Sequence, residues 1–166
     1  MIFFTADIHG DHENILKYCN RPFRSISEMR RSIIERWNRV VDVNDEVYIL
    51  GDLWLGHDFS SSEHMKKFLK KLNGEKHLIL GNHDRMDAFA YIRVGIASVH
   101  TSLYVEGAYL CHDPAWSVAQ DASQMVFCGH VHTLFKKAKN CVNVGVDVWD
   151  FTPVRFSEAK AVFESE

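Results

Sequence analysis

The pattern of apolar and polar positions predicts two amphipathic helices in the first half of this chain. Residues 25–28, Ser-Ile-Ser-Glu, match a capping box, and apolar side chains then recur at helical spacing from Met29 to Val41. Residues 60–63, Ser-Ser-Ser-Glu, repeat this start signal before a second apolar stripe, and Gly74 is a natural stop for that helix. We expect both stripes to face the core.

Short apolar runs between and after these stretches predict strands, and Glu106-Gly107 predicts a hairpin turn. The order begins as strand, helix, strand, helix, strand and then becomes richer in strands. This order indicates an α/β protein whose sheet is partly parallel and becomes antiparallel or mixed toward the C-terminus. With no repeat or linker, residues 1–166 are expected to form one domain. The predicted strands are residues 2–6, 47–50, 78–80, 103–105, 108–111, 125–128 and 141–144.

Composition places the chain among soluble globular proteins, with 46% apolar and 25% charged residues. No apolar run is long enough to span a bilayer, and the N-terminus does not resemble a signal peptide, so a cytoplasmic protein is expected. The four cysteines form no Cys-x-x-Cys pair and are expected to be buried thiols. The formal net charge of −3 argues mildly against nonspecific nucleic-acid binding, and the ten histidines are many for this length.

Several predicted strands end in the same kind of polar residue. In an α/β sheet, the carboxyl ends of strands open into loops where sites gather, so these residues are expected to meet. Independent explanations as turns or core histidines fit each motif alone but do not explain the ordered set. The set consists of Asp7 and His9, Asp52, Asn82 with His83 and Asp84, His112, and His130 with His132.

The chemistry of this set predicts a metal centre. Imidazole nitrogens with carboxylate and amide oxygens suit Mn, Fe, Co, Ni or Zn better than Mg or Ca. The spacing of Asp7-x-His9, and of His130-x-His132, allows each pair to face one ion. The number of candidates suggests two ions that share a bridging carboxylate, and Asp52, alone at its strand end, is the natural bridge. A glycine precedes Asp52, Asn82 and His130, which permits a sharp turn and close approach there.

Together these motifs resemble the signature of the calcineurin-like metallophosphoesterases, in particular their small single-domain bacterial and phage branch, over residues 2 to about 147. The resemblance implies a four-layer α/β/β/α sandwich of two mixed sheets with a dimetal site at the strand carboxyl ends. Manganese is the first expectation for the two divalent ions. The resemblance further implies one ion on Asp7, His9, Asp52 and His132, and the other on Asp52, Asn82, His112 and His130.

The same resemblance implies a mechanism in which a hydroxide that bridges the ions attacks phosphorus and His83 donates a proton to the leaving oxygen. The group that would orient His83 is open, with Asp84, Asp11 and Asp58 as candidates. The protein-phosphatase branch has an Asp-Arg pair after its Gly-Asp motif, whereas residues 51–56 here read Gly-Asp-Leu-Trp-Leu-Gly. A phosphoprotein substrate is therefore not expected.

The expected function is hydrolysis of a small phosphate ester, with a phosphodiesterase favoured over a phosphatase and a nucleotide or cyclic nucleotide as substrate. His12 and Arg21 are candidates for substrate contact, set against readings as a solvated loop residue and an ordinary surface residue. A nuclease is the alternative, weakened by the acidic balance and by basic clusters limited to the lysine pairs at 66–67, 70–71 and 136–137. A non-catalytic scaffold on the same fold would not need the complete ligand set with His83.

Overall fold

A computed structural model of the chain describes residues 1–56, 58–116 and 123–165. The described helices are α1 (Ile15–Tyr18), α2 (Ile26–Val40), α3 (Phe59–Leu69), α4 (Ala88–Val94) and α5 (Phe156–Glu164). The described strands are β1 (Ile2–Thr5), β2 (Glu46–Leu50), β3 (Glu75–Ile79), β4 (Ser98–His100), β5 (Leu103–Val105), β6 (Ala108–Leu110), β7 (Val126–Cys128), β8 (Lys137–Ala138), β9 (Cys141–Asn143) and β10 (Val154–Arg155).

The first sheet has the strand order β10-β1-β2-β3-β4. Its strands β1 to β4 are parallel neighbours, and β10 pairs antiparallel with β1 at the edge. Parallel neighbours require crossover connections, which α2, α3 and α4 provide between successive strands. This topology places the carboxyl ends of β1, β2 and β3 side by side at one edge.

The second sheet has the order β5-β6-β7-β9-β8, with β6, β7 and β9 parallel and the two outer strands antiparallel. The predicted hairpin between β5 and β6 is confirmed: Glu106 and Gly107 have φ values of 49° and 82°. Positive φ at both central residues is typical of a type I′ turn. A parallel bridge between Ala6 and Gly145 joins the two sheets where their strands end.

The core is divided by the first sheet. On one side, helices α2 and α3 pack on the sheet through side chains such as Trp37 and Met65, which are fully buried. On the other side, the two sheets enclose Phe4, Leu50 and Phe127, and the rings of Phe4 and Phe127 meet edge to face at 4.9 Å. Helix α5 packs into this second cluster. The predicted α/β sandwich of two mixed sheets is confirmed.

Helix α2 begins where the capping box predicted, but the box is only half formed. The Ser25 hydroxyl accepts a hydrogen bond from the Glu28 N–H at 3.1 Å, whereas the Glu28 carboxylate accepts from the Arg24 N–H at 2.9 Å. The prediction for α3 was wrong at both ends. Its N-cap is Asp58, which accepts from the Ser61 N–H at 2.8 Å, and the helix ends at Leu69 instead of continuing toward Gly74.

The strands β4, β8 and β10 and the helices α1, α4 and α5 were not predicted. The strands are only two or three residues long, too short for a period of two to be visible. Helix α4 did carry a signal, because Asp87 caps its start and Gly95, with a φ of 114°, ends it. Within residues 1–56, 58–116 and 123–165, no helix has the length and hydrophobicity that a membrane span requires.

Candidate metal centre

The segments that follow the parallel strands meet in one place, as the sequence predicted. The Asp7 N–H donates to the Gly51 carbonyl at 3.0 Å, and the His9 N–H donates to the Asp52 carbonyl at 2.9 Å, so the ends of β1 and β2 run together. The His130 N–H donates to both carboxylate oxygens of Asp7 at 3.0 Å, which ties the end of β7 to the end of β1. Side chains from both sheets therefore face each other across the edge of the sandwich.

The backbone at many of these residues is left-handed. The φ values are 57° at Asp7, 50° at His9, 52° at Asp52, 69° at His130 and 45° at His132. For a residue with a side chain this region costs about 1–2 kcal/mol. Such strain persists where the surrounding structure fixes it, and it clusters at functional sites. The left-handed turns direct these side chains into a common space immediately after their strands.

Two glycines permit the close approach of strand ends that the sequence predicted. A Cβ on Gly51 would lie 2.3 Å from Nδ1 of His112, and Gly51 itself has a φ of 86°. A Cβ on Gly81 would lie 2.3 Å from Oδ1 of Asp52 and 2.5 Å from its backbone nitrogen. Any larger residue at position 81 would therefore displace Asp52.

Asp7, His9 and His132 form one group that can hold a metal ion, with their ligand atoms within 4.8 Å of one another. Both ring nitrogens of His9 are buried and have no hydrogen-bond partner in the part of the chain that the structure describes. A buried polar atom without a partner costs about 1–3 kcal/mol, so a ligand for the His9 ring is expected. The chemistry of these donors fits a divalent ion.

The second group lies toward Asn82. The Oδ1 of Asn82 lies 2.9 Å from Nε2 of His112 and 3.1 Å from Nδ1 of His130, and these two nitrogens are 3.3 Å apart. His112 places its other nitrogen, Nδ1, 2.8 Å from the Leu50 carbonyl. A hydrogen bond of this kind fixes the ring and directs Nε2 toward the site. His130 and His132, two residues apart, thus face different groups and not one ion.

Asp52 lies between the two groups. Its Oδ2 is 3.5 Å from Nε2 of His9 and also 3.5 Å from Nε2 of His112. Its Oδ1 accepts a hydrogen bond from the His83 N–H at 2.9 Å. Asp7, Asp52 and His112 also form a group that can hold a metal. One oxygen equidistant from a histidine of each group is the position that a bridging carboxylate needs.

The pKa values of Asp7, His9, Asp52 and His112 are shifted by burial and by neighbouring charged groups. Burial raises the pKa of Asp7 to about 6 and lowers the pKa of His9 to about 3, which keeps the His9 ring neutral and able to bind a cation. Burial also opposes ionisation of Asp52, but the neighbouring His112 outweighs it and holds the pKa of Asp52 below its ordinary value. The same proximity to Asp52 and Asp7 overcomes burial at His112 and raises its pKa to about 9.

His83 lies beside the first group. Its ring centre is 5.6 Å from the ring centre of His9, and its Nδ1 is buried without a hydrogen-bond partner among the described residues. The candidates for orienting it are occupied elsewhere. Asp84 accepts from the backbone N–H groups of Asp52 and Gly81, Asp11 from those of Leu55 and Gly56, and Asp58 caps α3. None of these carboxylates hydrogen-bonds the His83 ring in the described ranges.

The two candidates for substrate contact differ in their placement. His12 is half-buried at the rim, with its ring centre 5.8 Å from that of His9, so its role stays a prediction. Arg21 does not lie at the surface, and direct phosphate contact is incompatible with its position. Its side chain is fully buried, and its guanidinium donates to Asp147 at 2.8 and 2.9 Å, to the Asp7 carbonyl at 2.7 Å and to the Ile8 carbonyl at 3.0 Å.

Arg21 and Asp147 instead position residues of the first group through hydrogen bonds. Asp147 Oδ2 lies 2.8 Å from Nδ1 of His132, which leaves Nε2 of that ring for the site. Asp147 lies in a 3₁₀ turn that follows β9. No local signal identifies Arg21, because its partner is 126 positions away in the sequence.

Comparisons with known proteins agree with this geometry. The model of the family described as calcineurin-like phosphoesterase matches residues 1–112, which contain the candidate ligands from Asp7 to His112. The uncharacterized protein MJ1445 of Methanocaldococcus jannaschii is 33% identical over 161 residues, covering 92% of this chain and 85% of its own length. The Gene 66 protein of Mycobacterium phage L5 is 25% identical over 182 residues, covering 89% of this chain and 86% of its own.

Solved structures share the fold at lower identity. The protein of unknown function AQ665 from Aquifex aeolicus superimposes with a TM-score of 0.73 at 22% identity, covering 98% of both chains. The nuclease MPE of Pseudomonas putida superimposes with a TM-score of 0.53 at 23% identity, covering 79% of this chain and 61% of its own. At these identities the likeness shows a common fold.

Proposed function

We propose, on the premise that this chain belongs to the calcineurin-like phosphoesterase family, that it hydrolyses phosphodiester bonds with the help of two divalent metal ions. The observation that supports a pair of ions is the position of Asp52, whose Oδ2 lies 3.5 Å from one histidine of each group. One ion would be held by Asp7, His9, Asp52 and His132, and the other by Asp52, Asn82, His112 and His130.

The donor set fits such ions. Imidazole, carboxylate and amide donors suit first-row transition metals, so manganese is our first choice and Fe, Ni, Co and Zn are alternatives. When bound, the ions would activate water and stabilise negative charge on the phosphate oxygens. Burial keeps the His9 ring neutral, which is the form that binds a cation. The Leu50 carbonyl and the Asp147 carboxylate hold the rings of His112 and His132 in fixed orientations.

His83 is the candidate general acid. Its backbone N–H is bonded to Asp52, and its ring lies beside that of His9, so the imidazole stands next to the ligand groups without belonging to them. A general acid has to reach the leaving oxygen without binding the metal itself.

A diester of a nucleotide or cyclic nucleotide is the favoured small substrate. Residues 53–56 lack the Asp-Arg pair of the phosphatase branch, and Arg21 is turned away into the core, so the site offers few cationic side chains for the dianion of a monoester. Asn82 and His130 are exposed at the mouth, which suits a substrate that enters from solvent.

Nuclease activity is the second candidate. The name of the structural neighbour from Pseudomonas putida includes nuclease, and a cleft between α2 and α3 lined by Arg30, Arg31, Lys67 and Lys71 favours a nucleic-acid substrate for this chain. A non-catalytic scaffold is less consistent with the convergence of a complete ligand set and His83.

The test is a substrate panel with added Mn²⁺, Fe²⁺, Ni²⁺, Co²⁺ or Zn²⁺, comparing aryl diesters and monoesters, 2′,3′- and 3′,5′-cyclic nucleotides and oligonucleotides. We expect a higher kcat/KM for bis(p-nitrophenyl) phosphate than for p-nitrophenyl phosphate. No metal-dependent turnover of any ester would reject the function, and a clear preference for the monoester would reject the diester assignment.

The role of His83 is tested in the same panel. General-acid help is typically worth about 10²–10⁴-fold and matters most for poor leaving groups. His83→Ala should therefore slow a cyclic nucleotide strongly and a nitrophenyl diester much less, with both metals retained. The matched variant His130→Ala should impair both substrates alike. Equal losses in His83→Ala, or loss of a metal, would exclude the acid role.

A further inference from the structure

A cleft of about 280 Å³ lies between α2 and α3, on the helical side of the first sheet. From α2 it is lined by Ser27, Arg30, Arg31 and Ile34, which recur at the spacing of one helical face. This face is distinct from the one that packs on the sheet through Met29, Ile33 and Trp37. Helix α3 lines the opposite side of the cleft.

On the opposite side the cleft is lined by His64, Lys67 and Phe68 of α3 and by Lys71 in the turn after it, at the same spacing as the residues of α2. Phe68 is buried and, with Ile34, forms an apolar floor, while the arginines and lysines form the walls. None of the described residues that line the cleft is acidic. The packing of the two helices brings Lys67 and Lys71 to the same cleft as Arg30 and Arg31.

None of these four cations forms an ion pair in the part of the chain that the structure describes, whereas Arg24, Arg36 and Lys160 each pair with a carboxylate. Glu28, one turn before Arg31 on α2, is hydrogen-bonded to Arg24, and its carboxylate interacts with Arg31 only at longer range. Like charges held together without partners repel each other, and an anion in the cleft would relieve that repulsion.

The cleft is connected to the metal centre through Trp54. The guanidinium of Arg30 lies 5.7 Å from the centre of the Trp54 ring, and that ring is packed so closely on Gly10 that a Cβ there would lie 2.1 Å from it. Gly10 directly follows His9. One buried aromatic side chain therefore separates the basic cleft from a candidate ligand.

We propose that this cleft binds the phosphate backbone of a single-stranded nucleic acid, whose neighbouring phosphodiester reaches the metal centre. The inference rests on the proposed function for the chemistry and favours its second candidate, a nucleic-acid substrate. Four cations on the two sides of one cleft exceed what one phosphate requires, and their position between two helices suits a single strand better than a duplex or a flat lipid surface. Among the described lining residues the Phe68 ring is buried and His64 carries the one exposed ring, so binding should depend mostly on charge and little on base sequence.

Helix α3 and the turn after it supply a matched pair of variants for the test. Lys67→Gln/Lys71→Gln removes two charges from the cleft, and Lys66→Gln/Lys70→Gln removes two charges from adjacent positions that do not line it. Binding of a fluorescein-labelled oligothymidylate to the metal-loaded protein is measured by anisotropy at several salt concentrations, with a denaturing gel to confirm that the probe is intact. Turnover of bis(p-nitrophenyl) phosphate is measured in parallel.

We expect the cleft variant to bind the oligonucleotide more weakly and with a smaller salt dependence. For single strands, the slope of log affinity against log salt changes by about 0.7 for each phosphate that the protein neutralises, so removing two cations should make the slope shallower by about 1.4. The control variant should retain most of the wild-type slope, and both should hydrolyse the aryl diester at the wild-type rate.

Equal binding by the two variants would overturn the proposal, and so would a cleft variant that loses binding to anionic phosphatidylserine vesicles but not to the oligonucleotide. A wild-type protein that binds the oligonucleotide through the cleft but does not hydrolyse any ester would reject the proposed function alone. If the aryl diester is hydrolysed normally and the cleft substitutions do not affect oligonucleotide binding, the proposal about the cleft is rejected and the proposed function is not.

Discussion

The buried guanidinium of Arg21 connects the metal centre to the rest of the fold, and its removal should have a large effect. It donates to both oxygens of Asp147, which in turn orients His132, and to the carbonyls of Asp7 and Ile8. One side chain therefore holds both segments of the first group. Substitution Arg21→Met keeps an unbranched apolar stem and removes every one of these hydrogen bonds.

The expected cost follows from the burial of both partners. The side chains of Arg21 and Asp147 are 0% and 2% exposed, and removing one member of a buried ion pair typically costs about 3–5 kcal/mol. For a chain of 166 residues, each kcal/mol lowers Tm by about 2–4 °C, so Arg21→Met should lower Tm by roughly 6–20 °C. Loss of such a supporting residue also weakens metal affinity by about 10–100-fold.

Arg24→Met is the control, because Arg24 also pairs with a carboxylate but its side chain is 92% exposed. An exposed pair is worth about 0–1 kcal/mol, so this variant should melt close to the wild type. Tm is measured by calorimetry in chelator, and metal content by elemental analysis after dialysis against dilute metal. If Arg21→Met has the same Tm as Arg24→Met and retains its metal, the reasoning about Arg21 is refuted.

The remaining predictions concern the bridging carboxylate Asp52, the close backbone approach at Gly81 and the N-cap Asp87 of α4. Asp52→Asn should lower metal content at both positions, whereas His9→Ala should mainly empty one; unchanged stoichiometry in Asp52→Asn would contradict the bridge. Gly81→Ala places a Cβ 2.3 Å from Oδ1 of Asp52 and should cost about 1–3 kcal/mol and reduce metal content, while Gly107→Ala, with open space around it, should leave the metal bound. Asp87→Ala removes the N-cap of α4 and should lower Tm by a few degrees for about 1 kcal/mol, without affecting metal content.

The convergence of the strand ends could be predicted because it follows from topology. Parallel strands connected by helices place their carboxyl ends at one edge, so Asp7, Asp52 and Asn82 had to be neighbours once the strands were recognised. The glycines at 51 and 81 were informative for the same reason, since two strand ends can approach this closely only where no Cβ lies between them.

The parts that could not be predicted depend on contacts between distant segments. Arg21 resembles any polar residue in a loop until Asp147 is placed beside it. The basic cleft requires the relative rotation of α2 and α3, which is determined by side-chain packing and not by the periodicity of either helix. The start of α3 was misplaced because Ser60 and Asp58 are both good N-cap residues, and the choice between them depends on the preceding loop.

The candidate ligands come from both sheets: those after β1, β2 and β3 belong to one, and those after β6 and β7 to the other. Metal ions at the proposed site would bind only while the two sheets remain packed together, so their binding would be thermodynamically linked to folding. A ligand that binds only the folded chain adds about 2.7 kcal/mol to the free energy of unfolding when its free concentration is 100 times its Kd. The supply of metal in the cell would then determine how long the folded protein survives proteolysis, as well as how fast it works.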